Sequence, residues 1–160
     1  MMELFVQGNP TEVLPAAYGA LFQLYYSMKE TPKGPKQAAP RLRCPGPEST
    51  QASNINSGTA FAATIGLPLP DEITVLPQSL NGGKFPIGIA DWEYGDTAEI
   101  LHKGPYDREP PTIKRLLDFI EAQGYAPSGI HEEEYIIGPG VPGAVPEGYV
   151  TIIRYPVRKK

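Results

Sequence analysis

The fold is decided by residues 97–124, which read TAEILHKGPYDREPPTIKRLLDFIEAQG. The first part, Thr97 to His102, predicts a strand, and Gly104-Pro105 predicts the turn that ends it. Apolar residues then recur at the spacing i, i+3, i+4, i+7, which is typical of one helix face: Ile113, Leu116, Leu117 and Ile120. Pro111 suits the first turn of this helix, and Gly124 suits the position just after its end. The stretch therefore predicts a strand, a turn and an amphipathic helix in that order.

The same order occurs a second time near the start of the chain. A shift of 96 positions superimposes three pairs of residues: Gly8 on Gly104, Pro15 on Pro111, and Leu21 on Leu117. The first helix is predicted to begin near Pro15 and to end before Thr31-Pro32, because a residue that precedes proline disfavours the helical conformation. Chance matching is the alternative, since the 160 residues include 17 glycines and 19 prolines. The shared order of elements favours an internal repeat.

Strands are predicted around both helices. In each copy, two strands are predicted after the helix. They are Arg41 to Cys44 and Thr59 to Ile65 in the first copy, and Glu133 to Ile137 and Tyr149 to Val157 in the second. The last two are expected to form a hairpin. A first strand is predicted at Met2 to Val6 and a short strand at Glu72 to Leu76. A second hairpin is predicted from Phe85 to Trp92 and Thr97 to His102.

These elements predict an α+β fold in one domain, residues 1–160. Duplicated β-α-β-β units are expected to form one curved antiparallel sheet, with both helices on one face and a ligand cleft at the pseudo-twofold seam on the other. Repeat one covers about residues 1–70, a connecting hairpin region about 71–94, and repeat two about 95–160. The loop Gln51 to Gly58 is expected to be mobile.

Charge and cysteine content exclude several classes of protein. The 14 basic and 18 acidic residues give a net charge of -4, so direct nucleic-acid binding by this chain is not expected. Cys44 is the only cysteine, which excludes an internal disulfide and a CxxC pair. The N-terminus lacks the pattern of a signal peptide, and no apolar run approaches the ~18 residues of a membrane span. The chain is therefore expected to be cytoplasmic and to have no membrane partner.

Residues 95–107, which read GDTAEILHKGPYD, resemble a family signature, G-x-Y-A-x-F-x-H-K-G-P-Y-[DE]. It belongs to the GyrI-like small-molecule-binding family. The elements expected after it are also present: a helix, Gly-Tyr, the E-x-Y sequence of Glu133 to Tyr135, a proline-rich loop, and T-x-I-x-x-P-V at Thr151 to Val157. The resemblance covers about residues 85–157, with Thr97 and Ile100 at positions where the family usually has aromatic residues.

Such domains occur as effector-binding halves of AraC- and MerR-type multidrug regulators and as stand-alone proteins. Because the chain begins almost at the first repeat, the resemblance implies a stand-alone member. It implies a binder of hydrophobic aromatic compounds, cationic ones among them. Two alternatives stay open: a cofactor-independent hydrolase that opens the strained ring of a cyclopropane-type alkylating compound, and a gyrase-inhibitor-like module that contacts a topoisomerase.

Glu133 and Tyr135 are the first candidate site residues. On a strand they share one face, while Glu132 and Glu134 share the other. A carboxylate among aromatic rings attracts cationic ligands, and its desolvation raises its pKa toward values useful for acid–base chemistry. In a hydrolase, Glu133 is expected to activate water or protonate a departing atom, and Tyr135 to orient the substrate. The alternative is that the acidic run is a solvated edge.

Three further aromatic residues are expected to line the ligand site: Phe61, Trp92 and Tyr106. The resemblance supports Trp92 and Tyr106, and the repeat places Phe61 across the cleft. Large aromatic side chains are more often part of a core, and that alternative stays open for all three.

The remaining reactive residue types indicate no further chemistry. His102 and His131 have no partner at metal-ligand spacing, so structural or surface roles are expected and no metal site is predicted. Arg43 is expected to be exposed, with an ion pair to a cleft acid as the alternative. The sequence GPGVPG at residues 138–143 satisfies a dinucleotide-binding pattern, but its prolines lack the N–H groups that bind phosphate. No cofactor is expected.

Overall fold

The computed structural model describes residues 1–44, 61–77 and 84–160. The loop predicted to be mobile, Gln51 to Gly58, lies outside these residues. The described helices are α1 (Pro10–Ser27) and α2 (Pro110–Ala122). The described strands are β1 (Met2–Gly8), β2 (Arg41–Cys44), β3 (Phe61–Leu67), β4 (Gly88–Ile89), β5 (Thr97–Lys103), β6 (Tyr125–Pro127), β7 (His131–Ile137) and β8 (Val150–Lys159).

The predicted α+β class is confirmed, with two helices and one antiparallel sheet of eight strands among the described residues. The described chain divides into two compact units. Unit one holds residues 1–42 and the described part of 61–92, and unit two holds 43–44 and 93–160. The cleft at the repeat seam stays a prediction. Neither described helix is long and apolar enough to span a membrane.

Unit one is built on the antiparallel pair of β1 and β3, against which α1 packs. Every second residue of β1 is buried, from Met2 to Val6, so one face of the strand contributes to the core. Asn9 caps α1, since its side chain accepts a hydrogen bond of 3.2 Å from the backbone N–H of Thr11.

The comparison of the two repeats is correct for the glycines and wrong for the prolines. Gly8 is the last residue of β1 and Gly104 directly follows β5, and both adopt the left-handed region, with φ of 135° and 121°. Pro15, however, lies inside α1, because Asn9 starts that helix directly after Gly8. In the second copy a 3₁₀ turn at Tyr106–Arg108 delays the helix start to Pro110.

Two predicted features between the repeats are wrong. The segment 72–76 is not a strand, and the segments 85–92 and 97–102 do not form a hairpin. Instead β4 pairs with β1, and β5 pairs with β8 along its whole length. The turn residues Tyr94-Gly95-Asp96 suggested that the two segments pair with each other, but each segment pairs with a strand that is distant in the sequence.

Unit two is organised around β8, which pairs antiparallel with β5, β6 and β7. The predicted hairpin of β7 and β8 is confirmed, while the three-residue β6 was not predicted. The apolar face of α2 packs against β8, in a core formed by Ile113, Leu116, Ile120, Ile153 and Tyr155. His102 links β5 to α2, with Nδ1 3.0 Å from Thr112 Oγ1 and Nε2 3.2 Å from the carbonyl oxygen of Pro105. Its structural role is as expected.

Candidate functional site

Strand β7 places alternate side chains on its two faces. Its register pairs Glu133 with Ile153 of β8, and residues that pair directly across an antiparallel sheet point to the same side. Ile153 belongs to the core beneath α2, so Glu133 faces the side of the sheet that α2 covers. The expectation that Glu133 faces away from the helices is therefore wrong in unit two.

Glu133 has no exposed surface and accepts two hydrogen bonds from its own strand. Its Oε1 lies 2.8 Å from His131 Nε2, and its Oε2 lies 2.7 Å from the Tyr135 hydroxyl, which donates to it. Residues 131, 133 and 135 share a face because side chains alternate along a strand. The acidic run is not a solvated edge, since Glu132 and Glu133 are 1% and 0% exposed.

A second buried carboxyl group, that of Glu109, lies beside Glu133. Glu109 is the residue just before α2, and it has no exposed surface. Among the described residues, neither of its oxygens has a hydrogen-bond donor. Burial, together with the charge of Glu133 and a side-chain hydrogen bond to it, raises the pKa of Glu109 to about 9. The raised pKa favours the neutral form of Glu109, whose proton can be donated to Glu133.

Three half-buried tyrosines adjoin the two carboxyl groups. The Tyr106 ring contacts the ring of Tyr135 edge-on, with centroids 5.5 Å apart, and the ring of Tyr149 at 5.2 Å. Burial raises the pKa of the Tyr106 hydroxyl, and the nearby charge of Glu133 raises it further. Gly138 permits this arrangement, since a Cβ atom at that position would lie 3.0 Å from the Tyr106 hydroxyl. We call Glu109, Glu133, Tyr106, Tyr135 and Tyr149 the acid–tyrosine cluster.

His131 is buried and contacts the acid–tyrosine cluster through Glu133. Its ring meets Tyr155 edge-on at 5.0 Å, and it is 1% exposed. Burial, with the charges of Glu133 and Cys44, raises the pKa of Tyr155 to about 12. The sequence predicted a structural or surface role for His131, which lies two residues before the predicted start of the strand at Glu133, whereas β7 begins at His131. Nothing in the sequence indicated Glu109, because an acidic residue before two prolines is ordinary at a helix start.

The other two predicted site residues lie in unit one. Trp92 Nε1 donates a hydrogen bond to the Glu3 carboxylate, and its ring lies against Gly66, where a Cβ atom would be 3.0 Å from it. Phe61 is 2% exposed and pairs with Gly8 across the sheet. Their roles in a ligand site stay predictions. Unit one also has an open depression of about 320 Å³, lined by residues other than the candidates: Met28, Glu30, Glu72, Ile73, Thr74, Val75 and Pro77.

The opposite face of β7 carries an ion network centred on Arg154. Its guanidinium binds three carboxylates, with N–O distances of 2.7, 2.6 and 3.0 Å to Glu99, Glu132 and Glu134. Burial lowers the pKa of Arg154, but hydrogen bonds to Glu132, Glu99 and Glu134 outweigh this and raise it above its usual value. We call Arg154, Arg43, Tyr94 and these three glutamates the arginine network.

Glu132 binds three other members of the arginine network. Besides Arg154, it accepts hydrogen bonds from Arg43 Nε at 2.7 Å and from the Tyr94 hydroxyl at 2.9 Å. Arg43 also lies over the Tyr94 ring, 5.1 Å from its centroid. Arg43 was expected to be exposed, but the partner acid on β7 makes it part of this network. In the described chain, no three histidine, cysteine or acidic side chains are grouped so as to hold a metal ion.

Solved structures share this fold. An uncharacterized conserved protein from Listeria innocua is 20% identical, with a TM-score of 0.73 over 99% of this chain and 88% of its own. A hydrolase from Listeria innocua is 17% identical, with a TM-score of 0.66 over 99% of this chain and 87% of its own. The C-terminal domain of EcmrR is 17% identical, with a TM-score of 0.60 over 99% of this chain and 92% of its own.

At these low identities, the TM-scores establish a common fold. No protein-family model matches the sequence, and no curated protein does.

Proposed function

We propose that this chain is a GyrI-like small-molecule-binding protein, and that the acid–tyrosine cluster binds hydrophobic aromatic cations. The proposal combines the resemblance at residues 95–107 with a fold shared with the C-terminal domain of EcmrR. The cation is held at Glu133, and the aromatic part of the ligand stacks among Tyr106, Tyr135 and Tyr149. Pockets of this kind are apolar with a few polar groups at fixed positions.

One observation carries the proposal: Glu133 is a fully buried acid with no arginine or lysine ion pair among the described residues. Its neighbour Glu132, on the other face of the same strand, pairs with both Arg43 and Arg154. Its basic neighbour, His131 at 2.8 Å, is charged only when protonated. Burying a charge without a permanent counter-charge is costly, and aromatic rings beside a carboxylate favour an organic cation. A cation from outside the chain would supply the missing partner. The half-buried rings of Tyr106 and Tyr135 move aside to admit it.

Binding of two cationic dyes, ethidium and rhodamine 6G, tests this proposal by fluorescence anisotropy. The parent protein is expected to bind at least one of them. Glu133→Gln removes the charge at nearly constant size and is expected to weaken binding by about tenfold or more, the value of one charge-assisted contact.

The matched control for that substitution is Glu134→Gln. It makes the same change one residue away, on the face of the arginine network, and is expected to leave the affinity unchanged. Equal loss in both variants, or no binding of either dye by the parent protein, would contradict the proposal.

A second candidate function, hydrolysis of a strained-ring alkylating compound, is favoured by the unequal acid pair. A neutral acid beside a carboxylate provides both a proton donor and a proton acceptor. Glu133 would take a proton from water as the water oxygen bonds to a ring carbon. Glu109 would give its proton to the atom that leaves with the electron pair of the broken ring bond. Tyr135 would orient the substrate through its hydroxyl group.

Disappearance of a cyclopropane-bearing alkylating compound, followed by chromatography, tests this second candidate. Glu133→Gln and Glu109→Gln are both expected to stop turnover, because each removes one proton-transfer group. If the parent protein binds the compound and returns it unchanged, the chain is a binder and not this hydrolase. Contact with a topoisomerase stays a prediction from the resemblance.

A further inference from the structure

Glu109 is the one member of the acid–tyrosine cluster to which the binding function described above assigns no ligand contact. It has no exposed surface, and within the described residues both of its oxygens lack a donor. It lies close to two other members of the acid–tyrosine cluster, Tyr106 and Glu133. A buried acceptor without a partner costs free energy, and such groups in native proteins call for an explanation.

The chemistry of a neutral carboxyl group defines what is missing. Its O–H can be donated to Glu133, which leaves the other oxygen as an acceptor. His131 has a second unpartnered polar atom: its Nε2 lies 2.8 Å from Glu133 Oε1, and its buried Nδ1 has no hydrogen-bond partner among the described residues. The site therefore combines the Glu133 carboxylate with an acceptor oxygen of Glu109 that has no donor within the described residues. A quaternary ammonium ion has no N–H group to donate to that oxygen.

We infer that Glu109 is a second ligand contact, whose free carboxyl oxygen accepts a hydrogen bond from an N–H group of the ligand. This inference rests on the proposed binding function and narrows its ligand class. The preferred ligands are aromatic cations with N–H groups at the charge, such as arylamidines. Aromatic quaternary ammonium ions of the same size satisfy Glu133 by charge alone and bind more weakly.

Three single-ring probes separate charge from hydrogen bonding. Benzamidine is a cation with N–H groups, phenyltrimethylammonium is a cation without them, and benzamide has N–H groups but no charge. Calorimetric titration of the parent protein at pH 7 is expected to give the order benzamidine, phenyltrimethylammonium, benzamide. The first two are expected to differ by about tenfold, the effect of one hydrogen bond between a charged donor and a buried acceptor.

Two substitutions at Glu109 sharpen the test. Glu109→Gln keeps both the donor and the acceptor of a neutral acid, so it is expected to keep the preference for benzamidine. Glu109→Met keeps the length but removes both groups, so it is expected to bring the two cations to within about twofold while phenyltrimethylammonium still binds. A circular dichroism melt of each variant establishes that it is folded before titration.

The outcomes distinguish this inference from the function it rests on. If the parent protein binds both cations equally, or if Glu109→Met keeps the full preference for benzamidine, the inference is wrong and the cation site stands. If neither cation binds more tightly than benzamide, the proposed function itself fails.

Discussion

The buried acids on the two faces of β7 have different partners. On one face the arginine network surrounds Glu132 with two guanidinium groups and a tyrosine hydroxyl. On the other face Glu133 meets a histidine, a tyrosine and a second acid. Both carboxylates are almost completely buried, so burial alone does not separate a structural acid from a candidate functional one. The difference lies in whether the chain supplies the counter-charge.

The arginine network is expected to show the largest effect on stability. Arg154→Met removes the cation shared by Glu99, Glu132 and Glu134 and leaves buried charge uncompensated. The free energy of unfolding is expected to fall by about 3–5 kcal/mol, as measured by urea denaturation. Glu133→Gln, on the other face, removes a charge that has no such partner and is expected to cost far less. An equal loss of unfolding free energy in the two variants would contradict the proposed difference between the two faces of β7.

The acid pair predicts an unusual dependence of stability on pH. The folded pKa of Glu109, about 9, lies above its ordinary value of 4.5, so the folded state binds more protons than the unfolded state between these values. Stability from this group is therefore fully present below pH 4.5 and is lost as the pH rises toward 9. Between pH 5 and pH 7 the expected loss is roughly 2–3 kcal/mol.

Glu109→Gln isolates this contribution, because it cannot ionise. Urea denaturation of the parent protein and the variant at several pH values gives the difference between them, in which the other titrating groups largely cancel. The variant is expected to gain stability relative to the parent protein as the pH rises from 5 to 9. A difference that does not change with pH would mean that Glu109 is not held as a neutral acid.

A smaller effect is expected from two tyrosine hydroxyls that each donate to a buried glutamate. Tyr94→Phe leaves Glu132 with both of its arginines, so stability should change by less than about 1 kcal/mol. Tyr135→Phe removes one of the two donors seen at Glu133 and is expected to change dye affinity severalfold while the ring remains. Denaturation and dye titration of both variants make the comparison. Identical behaviour in both assays would count against different roles for the two faces.

The sequence predicted the fold class and the alternation of β7 because both depend on local patterns. The helix period at residues 113–120 and the strand alternation at 133–135 needed no knowledge of distant contacts. The prediction that β5 forms a hairpin was wrong because its partner, β8, begins 47 positions after Lys103. The face of Glu133 also depended on pairing with β8, and the register there shifts between Tyr135 and Ile137.

Glu109 and Arg154 show why some residues of the two buried clusters were not predicted from the sequence. Glu109 meets Glu133 only because α2 packs over β8, so the acid pair joins residues that no sequence motif relates. Arg154 lies in a closing strand between apolar residues, where its three acidic partners come from β5 and β7. The resemblance identified Glu133 and Tyr106 as positions of interest but gave no account of the neutral acid between them.

We propose that a cation from outside the chain completes the site around Glu133, and a crystal structure of the protein with ethidium or rhodamine 6G tests this. Ligand density is expected among Tyr106, Tyr135 and Tyr149, with a cationic nitrogen within about 4 Å of the Glu133 carboxylate, the distance of an ion pair. A ligand bound instead in the depression beside Met28 and Val75, with the acid–tyrosine cluster closed and unchanged, would contradict it.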